Sequence, residues 1–171
     1  ALMNGIVMGG GFGIAGPCKI RIATDKTIFA MPEVGIGLFP DVGSTYFLSR
    51  CPGETGTYIA VTGLSVGPAD MLYAGLATQY EGNAPSILKQ KRATIDECFA
   101  FDTVEEILAA LLGHRDPWAK EIAGVIETRS PTSLKISLLH LRRAKTMSFD
   151  DVTAADLAIV GHVLRGHDFY E

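Results

Sequence analysis

Apolar positions along this chain change rhythm near residue 53. Before it they come in short runs cut by glycine and proline; after it many recur at three- and four-residue spacing. The first pattern predicts short buried strands and turns, the second amphipathic helices. Ile6-Val7-Met8 reads as a short buried strand. Lys19 to Thr24 alternates as a half-buried strand does, Asp25-Lys26 makes a turn, and Thr27 to Met31 returns as a strand. The expectation for Lys19 to Met31 is therefore a hairpin. Residues 32–44, PEVGIGLFPDVGS, read as a structured loop.

From Gly53 the helices begin. GETGTYIAVTG predicts a helix stopped by Gly63, and Pro68 and Gly75 bracket another, with proline first and glycine last. LATQY, Leu76 to Tyr80, is a strand candidate, and the polar stretch from Glu81 to Ala93 is the one linker-like segment. Thr103-Val104-Glu105-Glu106 has the form of a capping box. Asp116-Pro117 opens a helix to about Thr128, and Ser130-Pro131 opens one whose stripe is Leu134, Leu138, Leu139 and Leu141. Ser148 to Asp151 opens the last, running to about Leu164 and ending near Gly166.

Composition narrows the function classes. The 171 residues are 47% hydrophobic and 20% charged, which allows a globular domain with a real core. A net charge of −4 argues against a nucleic-acid surface. No apolar run reaches the roughly 18 residues of a membrane span, so no membrane partner is expected. Cys18, Cys51 and Cys98 lie far apart without metal-ligand spacing, and an odd count suits plain thiols in a reducing compartment. No metal site is expected. Among the histidines, His140 lies beside leucines as a packed or helix-surface residue, His114 falls in a loop, and His162 sits late in the last helix. His167-Asp168 reads as a C-terminal turn or, less favoured, as a base with its orienting carboxylate.

Two features carry candidate chemistry. Gly11-Phe12-Gly13-Ile14-Ala15-Gly16 is a literal G-x-G-x-x-G. A dinucleotide fold needs a crossover helix of a dozen or more residues after it. Pro17 follows at once and strand-like residues resume by Ile20, which removes that reading. The three glycines Gly9, Gly10 and Gly11 fit either close packing or an exposed N–H at a helix start, which can stabilise an acyl oxyanion. Glu33 and Asp41 lie eight residues apart among apolar residues, glycines and prolines. An apolar setting raises a carboxyl pKa towards the range of a general acid or base; the alternative is that both cap local turns.

NGIVMGGGFGIA, MPEVGIGLFPDVGSTYFL and TGLSVGPADMLYAGLAT, in that order and spacing, resemble the crotonase (enoyl-CoA hydratase/isomerase) superfamily over nearly the whole chain. GLFPDVG, SPTSLK and RGHDFYE make it most similar to the 3-hydroxyisobutyryl-CoA hydrolase group within it. The resemblance implies an α/β fold: the second part of a β-β-α spiral over residues 1–80, a loop over 81–93, and a helical C-terminal region over 94–171. It implies an internal portion of a longer protein, in which an upstream section supplies a second oxyanion N–H and part of the coenzyme A groove. It also implies an acyl-CoA substrate, no cofactor beyond the coenzyme A of that substrate, a homo-oligomer, and a mitochondrial setting in valine breakdown.

Roles follow from the same resemblance. Gly10 N–H would hold the thioester oxygen, with Gly9 beside it. Glu33 would attack the thioester carbonyl or activate water, and Asp41 would bind the substrate hydroxyl or assist proton transfer. Phe29, Met31, Ile36 and Phe39 would line or back the acyl pocket. Hydratases carry a glutamate at the position of Gly13, so its absence favours hydrolysis. A hydratase or isomerase of the same superfamily, and a non-catalytic acyl-CoA-binding protein, are the alternatives.

Overall fold

The computed structural model describes residues 1–170; Glu171, the last residue of RGHDFYE, lies outside them. The chain opens with β1 (Leu2–Met3), β2 (Ile6–Met8), α1 (Gly10–Ala15), β3 (Ile22–Ala23) and β4 (Ile28–Ala30). The expected hairpin over Lys19 to Met31 does not form. β3 pairs parallel to β1, with Leu2 opposite Ile22, and β4 pairs parallel to β2, with Val7 opposite Phe29. Thr27 makes the corner between β3 and β4: its hydroxyl donates to Met3 O at 2.5 Å and accepts from Thr24 N–H at 2.7 Å. Alternation marks a strand but not its partner, and here each strand serves a different parallel neighbour. Two strands, a helix and two strands in parallel register form the β-β-α spiral that the resemblance implies. Leu76 to Tyr80 adds to it through Gln79, which bridges Ile22, while Thr78 and Gln79 N–H both donate to Arg21 O.

A 3-10 turn, Pro32–Ile36, follows β4 and leads to α2 (Ser44–Leu48). Then come α3 (Thr55–Thr62), α4 (Pro68–Tyr73), α5 (Ile87–Gln90), α6 (Arg92–Phe99), α7 (Val104–Gly113), α8 (Pro117–Glu127), α9 (Pro131–Ala144) and α10 (Phe149–Val163). Gly63 ends α3 at φ 64°, in the left-handed region. Ser130, Asp116, Ser148 and Thr103 each cap their helices by accepting a backbone N–H. In the Thr103 cap the hydroxyl also donates to the Glu106 carboxylate at 2.6 Å.

The segment expected to be a linker, Glu81 to Ala93, carries α5 and the start of α6. Leu88 is buried in the core, and Asp70 Oδ1 accepts from both Leu88 N–H and Ser86 Oγ. A polar sequence hides this because only one residue in the short helix points inward. Leu139 departs from its expected stripe and is exposed: it stands about 100° round the helix from Leu138.

All eight residues of α3 are buried, and it packs against α2, α6, α8 and α9. Gly56 passes directly over the Leu48 carbonyl, where no side chain fits. One core cluster runs from Met3 in β1 to Leu141 in α9. Phe12 joins the strands to the helices, edge-on to Phe29 at 4.9 Å and to Phe47 at 5.6 Å. Among the described residues no helix is long and apolar enough to cross a membrane.

Candidate active site

β2 delivers the chain into Gly9, which adopts φ 48° and ψ −123°. That combination suits glycine alone. α1 starts at the next residue, so Gly10 and Gly11 N–H lie in a first turn with no intrahelical acceptor. Both glycines are exposed, and a Cβ at either position would meet nothing within 4 Å.

Glu33 comes from the adjacent strand's exit. β4 runs parallel to β2, so both strand ends lie on the same side of the pair. Pro32 then opens the 3-10 turn and puts Glu33 in its first turn. Glu33 is the second residue of that turn and not its N-cap, which is Met31. Its side chain instead reaches across to the glycines, where a Cβ on Gly9 would stand 3.0 Å from Glu33 Oε1. Glu33 is 6% exposed, and its Oε2 is buried without a hydrogen-bond partner. Desolvation therefore dominates and raises its pKa to about 7; its own backbone amide opposes this and the Asp41 charge adds to it. A carboxyl with an unpaired oxygen, titrating near neutrality beside exposed N–H donors, can act as nucleophile or base.

Asp41 is half-buried, and its pKa is raised by desolvation and then by the charge of Asp156, with a backbone hydrogen bond opposing. It sits in a tight turn. Ser44 N–H donates to Asp41 O at 2.9 Å and Thr45 Oγ1 to Pro40 O at 2.6 Å. Val42 has φ 53° and Gly43 φ 75°, two left-handed residues in succession. A left-handed valine is uncommon, and it has a consequence at Gly13. A Cβ on Gly13 would lie 2.8 Å from Val42 Cβ, so the turn after Asp41 fills the space a side chain at Gly13 would need.

The expected pocket residues divide. Phe29, Met31 and Phe39 are at most 1% exposed and lie among the buried hydrophobic residues. Ile36 is exposed. Neither Glu33 nor Asp41 lines either of two surface cavities. One of 330 Å³ lies beside Gly37 between α9 and α10, lined by Ile136, Ile159 and Val163. The other, of 370 Å³, runs past Leu2, Ile6, Gly11 and Ile14.

SPTSLK meets Asp168 of the C-terminal motif in space. Ser130 Oγ donates to Asp168 Oδ2, and this bond, with a further one from Thr132, lowers the Asp168 pKa. His167-Asp168 is thus a turn that docks on the start of α9. The Asp168 carbonyl also closes over Gly37, leaving no room for a side chain there. Sequence reasoning left one pair unassigned: buried His140 and Asp156, whose carboxylate reaches Gly43. The available signal was Asp156 itself, one helical turn after buried Val152 on the inward face of α10. Among the described residues no three His, Cys, Asp or Glu side chains converge as metal ligands would.

The sequence pattern of the enoyl-CoA hydratase/isomerase family matches residues 1–85 and 79–171. The two segments meet in the coil between α4 and α5. The chain is 37% identical over 212 positions to 3-hydroxyisobutyryl-CoA hydrolase 1 of Arabidopsis thaliana, covering all of this chain and 56% of that protein. It is 35% identical to the mitochondrial 3-hydroxyisobutyryl-CoA hydrolase of Homo sapiens, covering all of this chain and 54% of that one. The chain thus spans about half the length of the curated relatives it matches. Among solved structures, a carnitinyl-CoA dehydratase from Mycobacterium thermoresistibile superposes with TM-score 0.95 at 38% identity, over 98% of this chain and 57% of that one. An enoyl-CoA hydratase from Rhodobacter sphaeroides superposes with TM-score 0.83 at 30% identity, over 89% of this chain and 52% of that one. In sequence pattern and in fold alike, the chain belongs to the enoyl-CoA hydratase/isomerase family, the crotonase superfamily.

Proposed function

We propose that the native protein hydrolyses a short branched 3-hydroxyacyl-CoA thioester, 3-hydroxyisobutyryl-CoA being the favoured substrate. The observation that carries this reading is a single buried carboxyl, Glu33, with an unpartnered oxygen beside the Gly9–Gly10 turn and no second carboxylate at Gly13. Adding water across a double bond in the manner of the family's hydratases uses two glutamates. Here Val42 occupies the room the other would need. The names of the curated relatives support hydrolysis.

In this mechanism Gly10 N–H donates to the thioester oxygen as it becomes an oxyanion, an interaction commonly worth about 3 kcal/mol. The Glu33 carboxylate attacks the carbonyl carbon. The C–S bond breaks, and coenzyme A leaves as a thiolate that takes up a proton. Water then opens the acyl–Glu33 anhydride, releasing the hydroxy acid and restoring the carboxylate. Asp41 holds the substrate hydroxyl. The valine pathway and the mitochondrial setting belong to this proposal; mitochondrial relatives support the second.

A second reading, hydration or dehydration of an acyl-CoA, draws on the names of the two solved structures above. Thiol release from 3-hydroxyisobutyryl-CoA, measured beside hydration of crotonyl-CoA, separates them. Hydration without thiol release would overturn the hydrolase reading. Binding of both without turnover would leave a non-catalytic acyl-CoA-binding protein.

A further inference from the structure

A buried imidazole and a buried carboxylate meet behind the Asp41 turn, and neither enters the chemistry above. His140 on α9 and Asp156 on α10 are each 4% exposed. His140 Nε2 lies 2.6 Å from Asp156 Oδ1, and Gly43 N–H donates to Asp156 Oδ2 at 2.7 Å. The His140 ring stands edge-on to Phe39 at 5.9 Å. One carboxylate thus ties two helices to the residue two places after Asp41.

The turn needs such a tie. Left-handed geometry costs a side-chain-bearing residue about 1–2 kcal/mol, and it persists only where the surroundings enforce it. The bonds from Ser44 N–H to Asp41 O and from Thr45 Oγ1 to Pro40 O are both local to the turn. The Asp156 bond comes from 113 positions away and fixes the turn to the helical region. His140 keeps that anchor in place: a buried carboxylate with one oxygen unpaired is costly, and Nε2–H satisfies the oxygen that Gly43 does not.

We propose that His140 and Asp156 are positioning residues that lock the Val42–Gly43 turn and thereby set where Asp41 meets the substrate hydroxyl. This rests on the hydrolase reading for the role of Asp41, but not for the lock itself.

The test uses the native protein with Asp156→Asn, His140→Leu and His140→Gln, whose amide nitrogen can replace Nε2–H. Two substrates separate positioning from folding: 3-hydroxyisobutyryl-CoA, and isobutyryl-CoA, which lacks the hydroxyl. We expect Asp156→Asn and His140→Leu to lower kcat/KM about tenfold on the hydroxylated substrate and less than twofold on the other. His140→Gln should recover most of the loss. The Gly43 amide proton should also shift and exchange faster in Asp156→Asn. Equal losses on both substrates, or no rescue by His140→Gln, would overturn the proposal. So would an unmoved Gly43 amide. If neither thioester is hydrolysed the hydrolase reading fails, and the Gly43 amide alone decides the lock. Should His140→Leu not fold, the near-isosteric Asp156→Asn carries the test.

Discussion

Gly13 and Val42 exclude one another's side chains: a Cβ on Gly13 would lie 2.8 Å from Val42 Cβ and 2.9 Å from its Cγ2. The residue that follows one candidate catalytic acid therefore closes the position from which a second carboxylate would act. Gly13→Glu should destabilise the chain by about 1–3 kcal/mol, the usual cost of overpacking. Val42→Gly removes both the obstructing side chain and a left-handed valine, and should cost little by itself. In the double variant most of the Gly13→Glu loss should return. Urea denaturation of the four forms measures this coupling; additive effects would show that Val42 does not control the space.

Gly9 and Gly10 are adjacent and should respond in opposite ways. Gly9→Ala places a methyl 3.0 Å from Glu33 Oε1 at φ 48°, and we expect a loss of roughly 1–2 kcal/mol in stability. Gly10 has open space and is the first residue of α1. Gly10→Ala should leave stability unchanged or raise it by up to about 1 kcal/mol, yet slow thioester hydrolysis by crowding the oxygen to which its N–H donates. Thermal melts beside kcat/KM for the two variants check the contrast.

Much of this site is legible in the residues alone. Glu33 is marked by its neighbours, all apolar, glycine or proline, which foretell a desolvated carboxyl. Gly63 and Gly75 mark helix ends because left-handed stops favour glycine, and both have positive φ. The pairing of β3 and β4 with β1 and β2 is not legible, since alternation reports burial and not partner. Nor is α5, where a single inward residue, Leu88, anchors a polar stretch. The left-handed Val42 is invisible because a valine carries no turn signal. The Asp156 to Gly43 bond joins residues 113 positions apart, beyond any local pattern.

Burial of Glu33 makes activity and stability respond oppositely to pH. Its pKa rises from 4.5 to about 7 on folding, so between those values the native state binds more protons than the unfolded one. The stability this contributes is fully present below pH 4.5 and is lost as pH rises through about 7. Glu33→Gln should then be more stable than the parent at pH 8 by about 1–3 kcal/mol, and equal to it near pH 4. The attacking form is the carboxylate, so kcat/KM should fall below an acid limb near pH 7. Asp41→Asn removes a charge that raises Glu33, and should move that limb to lower pH. A parent and a Glu33→Gln variant with parallel stability profiles would show that Glu33 titrates normally.

The most direct measurement is release of coenzyme A thiol from 3-hydroxyisobutyryl-CoA by the native protein and its Glu33→Gln variant, with folding verified in each. We expect the variant to lose activity by about 10²–10⁴-fold while keeping its fold and its binding of the thioester. A folded Glu33→Gln protein that releases thiol at the parent rate would contradict the role given to Glu33 and, with it, the proposed mechanism.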